Sequence, residues 1–133
     1  MKKSSLKKKL TSAKLKKKLD AIFSKYIRQK YAGGDGTITC FTCNKRLSIK
    51  ESQCGHFVRR QYLATRFSEE NCRPQCVGCN IFGDGKTVEF ARRLEEEKKG
   101  IVQKLYKEAQ KITKDFPYEE KIEYYKKELE KLT

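Results

Sequence analysis

The stretch "CRPQCVGCNIFGDG", Cys72 to Gly85, decides the fold. It holds a Cys-x-x-Cys pair, Cys76 and Cys79, with an amide side chain, Asn80, directly behind the second sulfur. A matching pair, Cys40 and Cys43, lies upstream, with 32 residues between the two pairs. Each spacing lets a tight turn aim two thiolates at one ion. Four thiolates complete the tetrahedral shell that structural zinc prefers. Cys40, Cys43, Cys76 and Cys79 are therefore the expected zinc ligands. Redox chemistry of the thioredoxin kind would need a βαβ surround, which neither pair has. Cys54 and Cys72 are left over and read as small buried residues; for Cys72, replacing a ligand of the second pair is the weaker reading.

The chain has 133 residues, 37% hydrophobic and 37% charged. That composition fits one domain with a small core, and such cores usually need a staple such as a metal. The 32 Lys+Arg against 17 Asp+Glu give a net charge of +15. A charge of that size favours a polyanionic partner, most often nucleic acid. Residues 1–30 hold twelve basic residues and one acid, whereas residues 94–133 hold ten of each. The N-terminal part is thus the expected electrostatic arm, with Lys16, Lys17 and Lys18 as DNA contacts. The C-terminal part has another task. No apolar run approaches the ~20 residues of a membrane span, and the N-terminus lacks the apolar segment of a secretory signal. A cytoplasmic location is expected, where paired cysteines hold metal more often than disulfides.

Leu6, Leu10, Leu15, Leu19, Ile22, Phe23, Tyr26 and Ile27 recur every three to five residues. They predict an amphipathic helix over residues 6–31, ended by "AGGDG", Ala32 to Gly36. Residues 37–58 are rich in β-branched and aromatic types and predict a hairpin around the first cysteine pair, with His56 on its second strand. Residues 59–75 read as irregular loop. Val88, Phe90, Ala91 and Leu94 predict a helix over residues 87–99, stopped by Gly100. Ile101, Leu105, Ala109 and Ile112 mark another, and Pro117 opens a last one with Ile122, Tyr125, Leu129 and Leu132 on one face. The expected fold class is α+β: a basic helix in residues 1–31, a zinc-stapled core in residues 32–99 and a C-terminal helical hairpin in residues 100–133.

With four cysteines closing the zinc shell, the sole histidine, His56, is free to act as a base, since a neutral imidazole accepts a proton near working pH. Asn80, held beside the zinc, offers an amide oxygen of the kind Mg²⁺ takes. Taken singly, a packed histidine and a helix-capping asparagine are the plainer readings. Together, "CFTC", "GHF", "RFSEENCRPQCVGCN" and a following glycine turn resemble the HNH, or ββα-metal, nuclease motif. More narrowly, they are similar to the phage NinG (Rap) recombination endonuclease family, over roughly residues 20–133.

The resemblance implies an endonuclease that hydrolyses phosphodiesters in branched DNA such as Holliday junctions and D-loops. By position, His56 matches the general base, Asn71 the residue bracing the histidine-bearing loop, and Asn80 the ligand of a catalytic Mg²⁺ or Mn²⁺. Arg59, Arg60, Arg66 and Arg73 surround these positions in sequence and suit phosphate contacts. One departure stands out: the family type often carries aspartate just before the histidine, but Gln53, Cys54 and Gly55 occupy those places. Glu51, Asp84 and Glu89 are candidates for the second metal ligand. A nicking or restriction-type nuclease on duplex DNA and a non-catalytic zinc-stapled DNA-binding module are the alternatives. A phage origin places the chain in the bacterial host cytoplasm. A homodimer is expected, paired through the C-terminal helices, because two apolar stripes on one hairpin leave surface uncovered and a four-way junction offers two equivalent strands.

Overall fold

The Thr11 hydroxyl accepts a hydrogen bond from the Lys14 amide at 3.2 Å and starts the first helix, α1 (Ser12–Lys30). The computed structural model describes residues 10–132, so the expected helix start at residues 6–9 lies outside them. The helix stops where Ala32 turns back onto Gln29 at 3.1 Å, and Gly36 follows at φ 79°, a conformation glycine adopts without strain. Strands β1 (Thr37–Thr39) and β2 (Arg46–Ser48) form an antiparallel hairpin around the first cysteine pair.

A second antiparallel pair joins β3 (Ser52–His56) to β4 (Cys72–Cys76), with His56 opposite Cys72 and Cys54 opposite Pro74. Between them run the short helix α2 (Leu63–Arg66) and a 3₁₀ turn, Glu69–Asn71. A π-type turn, Gly78–Phe82, leads to α3 (Thr87–Glu97), then α4 (Ile101–Ala109) and α5 (Tyr118–Lys131). The chain is α+β.

Two apolar clusters hold these elements. In one, Leu19, Phe23, Tyr26 and Ile27 of α1 pack on Phe67, Cys72 and on Tyr118, Ile122 and Tyr125 of α5. Phe23 meets Phe67 edge-on at 5.7 Å and Tyr125 at 5.0 Å, geometries that aromatic quadrupoles favour. In the other, Phe57 and Val58 pack on Phe90 and Leu94 of α3 and Ile101, Leu105 and Ala109 of α4.

Four expectations change. His56 sits on a third strand, paired with β4 and not with the first hairpin. Residues 59–75 are not a loop throughout, since they hold α2 and β4. Val88, Ile112 and Leu132 leave the predicted stripes and are exposed, Ile112 because α4 has already ended at Ala109. The last two helices do not pack as one hairpin: α4 lies against α3 and α2, whereas α5 lies along α1. Gly100 opens α4 and Pro117 opens α5, and each apolar stripe finds a different partner.

Candidate functional site

The first knuckle closes when Asn44 donates to the Cys40 carbonyl at 2.9 Å and Cys40 to the Lys45 carbonyl at 2.8 Å, with Asn44 left-handed at φ 66°. The second begins where β4 ends at Cys76 and the π turn lifts Cys79 back over it. The sulfurs of Cys40, Cys43, Cys76 and Cys79 all lie within 4.8 Å of one another. Cys43 and Cys76 are 3.7 Å apart, too far for a disulfide. Zinc bonds of about 2.3 Å in a tetrahedron would set sulfurs about 3.8 Å apart. Backbone amides already point at this centre: Cys76 N–H donates to the Cys40 sulfur at 3.3 Å and Cys79 N–H to the Cys76 sulfur at 3.4 Å. Burial pushes the Cys40 thiol up, but the Cys76 amide and the Thr42 hydroxyl pull it down to about 6. Burial drives Cys79 up to about 12. Several thiolates this close repel one another unless a cation joins them. The donor set therefore fits a structural metal such as zinc.

This centre fixes Asn80, the residue after Cys79, on the wall of a cleft. Asn80 follows Cys79 in the π turn, and His56 ends β3; both line a cleft of about 320 Å³, and both also line its neighbour of about 610 Å³. His56 Nε2 lies 2.9 Å from the Arg66 carbonyl oxygen. A carbonyl only accepts, so Nε2 carries the hydrogen and Nδ1 holds the free lone pair. Burial is the main force pushing the imidazole down to about 4, and the nearby Arg60 and Arg66 charges add to it. The ring is thus neutral at pH 7.

Asn71 is fully buried. Its carbonyl oxygen accepts from Val58 N–H at 2.8 Å, and its amide donates to the carbonyls of Val58 (3.0 Å) and Thr65 (3.1 Å). It bridges the two ends of the segment that follows His56. Asn80 donates its amide hydrogen to Gln53 Oε1 at 2.8 Å, which orients its own carbonyl oxygen. Beneath them, the Gln75 amide ties Thr42 of the first knuckle to the Gly85 carbonyl, each at 3.0 Å. A Cβ on Gly55 would come within 1.9 Å of Gln75, so glycine is required there by close approach.

Of the three acids considered as second ligand, Asp84 alone lines the smaller cleft; its carboxylate is bound to Arg59 at 2.9 Å. Glu51 caps a 3₁₀ turn through Ser48, and Glu89 pairs with Arg92 and Arg93 on α3. The basic residues divide as well. Arg59 and Arg60 are exposed on the cleft rim, with Lys17 of α1 on the larger side. Lys18 is exposed and Lys16 half-buried. Arg73 is a correction: it is buried, bonds Glu97 at 2.7 Å and the Glu69 and Cys72 carbonyls, and stacks on Tyr31 and Phe41. It serves the fold and is withdrawn from phosphate contact. Arg66 is likewise engaged, gripping Asp20 through two nitrogens and donating to the Arg60 carbonyl at 3.0 Å.

Asp20 is the residue sequence reasoning passed over. Its carboxylate holds Arg66 and Arg60, and the Arg66 carbonyl holds His56. Its one available signal was being the sole acid among twelve cations in residues 1–30.

A protein family described as Bacteriophage Lambda NinG protein matches residues 1–133. The chain belongs to the NinG family. NinG membership makes it a phage protein related to recombination. Comparison with curated proteins and with solved structures found no match. Among the described residues no helix is long and apolar enough to cross a membrane.

Proposed function

We propose that this NinG-family chain is a metal-dependent endodeoxyribonuclease of the ββα-metal (HNH) type, cutting branched DNA during recombination. The observation that carries the reading is His56 and Asn80 on the walls of one cleft, braced by the four-cysteine centre, with the imidazole neutral and its tautomer set by the Arg66 carbonyl. The order β3, β4, π turn, α3 also suits the ββα description.

In this reading His56 Nδ1 takes the proton from a water that attacks phosphorus. Arg59 and Arg60 hold the phosphates on either side, while Asn71 and Asp20 keep the histidine in place. The Asn80 carbonyl oxygen and the Asp84 carboxylate are hard oxygen donors on the same cleft, which fits Mg²⁺ or Mn²⁺. Such an ion supplies charge neutralisation at the phosphate and the leaving oxygen. For Asp84 to serve, Arg59 must turn away to a DNA phosphate, which its exposure permits.

The test is Mg²⁺-dependent cleavage of four-way junctions, flaps and plain duplex by the full chain. Junction cutting above duplex cutting is expected, lost in His56→Ala and in Asn80→Ala with DNA binding retained. Equal cutting of all substrates would leave a duplex nuclease, and binding without cutting would leave a zinc-stapled DNA-binding module.

A further inference from the structure

The sheet face that carries His56 holds a second set of soft donors. Cys54 and His56 alternate along β3, so both side chains leave the same face, and Cys72 stands directly opposite His56 on β4. The two sulfurs and a ring nitrogen of His56 all lie within 4.8 Å of one another. These three residues are separate from the four-cysteine centre. Cys54 and His56 reach solvent through both clefts, whereas Cys72 is sealed at the base against α1.

We propose that Cys54, His56 and Cys72 form an inhibitory site for a thiophilic divalent cation such as Zn²⁺. Two thiolates and one imidazole are a familiar three-residue shell for zinc, with the fourth position left to a water on the cleft side. Binding releases the two thiol protons to solvent, and the two thiolates offset the ion's two positive charges. The cost is that Cys72 is fully buried, and burial holds its thiol protonated until the cation arrives. This inference rests on the nuclease reading for its consequence, because the donor it uses is the base. If the cation takes Nδ1, the lone pair that would deprotonate water is occupied. If it takes Nε2, the hydrogen bond to Arg66 breaks and the ring loses its anchor. Either mode silences His56. Hard Mg²⁺ avoids a site made of two sulfurs, so the activating and inhibiting ions sort themselves by softness.

The probe is Co²⁺ added to the zinc-loaded full chain, in which the four-cysteine centre already holds its tighter ion. One further equivalent is expected, with a thiolate-to-cobalt charge-transfer band in the near ultraviolet and visible bands of tetrahedral cobalt. Cys54→Ser, half-buried and tolerant of an oxygen, should weaken that binding about a hundredfold or more, since even outer partners of a metal site cost about 10–100-fold. Cys72→Ala is the second variant, and retention of one bound zinc in each certifies the fold. In parallel, Zn²⁺ at concentrations that fill the site should stop Mg²⁺-dependent junction cleavage by the parent, and Cys54→Ser should resist it. Absence of a cobalt–thiolate band in the parent, or bands unchanged in both variants, overturns the proposal even if cleavage is robust. A cobalt band that depends on Cys54 and Cys72 in a chain that never cleaves DNA would leave the site standing and overturn the nuclease reading instead.

Discussion

At His56 the protein trades basicity for readiness. Burial holds its pKa near 4, below the ordinary 6.5, so the proposed base is unprotonated across the working range. The sign follows from linkage. Between pH 6.5 and 4 the unfolded chain binds a proton that the folded chain refuses, so stability falls as pH drops through that window, by an amount on the order of 3 kcal/mol. Above pH 6.5 the group contributes no pH dependence. Cleavage in Mg²⁺ buffer free of thiophilic ions should therefore be undiminished at pH 6; a rate profile with its acid midpoint at 6.5 would show that burial does not act on the base. His56→Ala should lower the rate by about 10²–10⁴. In the proposed nuclease, Asp20 would touch no reacting atom and would position His56 through Arg66. Asp20→Asn keeps the shape but weakens the charged grip, and is expected to lower kcat by about 10- to 100-fold with KM for DNA little changed. A purely structural role would move melting temperature without that split.

At the scale of elements, the four-cysteine centre joins the β1–β2 hairpin to the end of β4 and the π turn that carries Asn80. Structural zinc in small modules contributes about 10–16 kcal/mol to folding. Chelation should therefore unfold the chain cooperatively, followed by circular dichroism; full native signal with no metal bound would contradict the site. Gly55→Ala is a sharper probe of the same region. Gln75 is fully buried and its amide nitrogen is held by both Thr42 and the Gly85 carbonyl, so its side chain has little room to yield to a Cβ, and a loss of about 1–3 kcal/mol is expected in denaturant melts. The knuckles were legible because residue type and short spacing define them, whereas His56 and Asn80, far apart in sequence, were paired only through the family resemblance. β4 was not. All five of its residues are buried, which erases the period-two signal, and Pro74 argues against a strand unless the sheet has only two. Asp20 and Gln53 were hidden because their partners lie 46 and 27 residues away, and those pairings exist only once α1 and the π turn have docked.

At the scale of the whole molecule, the first and last helices of the described residues meet. Helices α1 and α5 share one core, and Glu69 clamps them: it accepts from Tyr26 at 3.3 Å and Tyr125 at 3.1 Å, and pairs with Lys30 at 3.0 Å. Burial pushes the Tyr26 hydroxyl up to about 12 and Tyr125 higher, so both remain donors at any working pH. Glu69→Ala should cost about 1–3 kcal/mol by orphaning two half-buried hydroxyls. This closure also changes what a dimer can rest on. The apolar stripes of α4 and α5, which suggested pairing through the C-terminal helices, are covered within one chain by α3 and α1. What remains exposed there is scattered: Tyr106, Ile112, Tyr124 and Leu132. Single exposed apolar residues do not drive association, and chains of charge +15 repel one another in free solution. A DNA junction removes that repulsion and presents two equivalent strands related by a two-fold axis. Light scattering should then give one 15.6 kDa chain in free solution at moderate salt and two chains on each four-way junction. A stable dimer without DNA would mean that an uncharted face pairs the chains, and a single chain per junction with both strands cut would remove the dimer altogether.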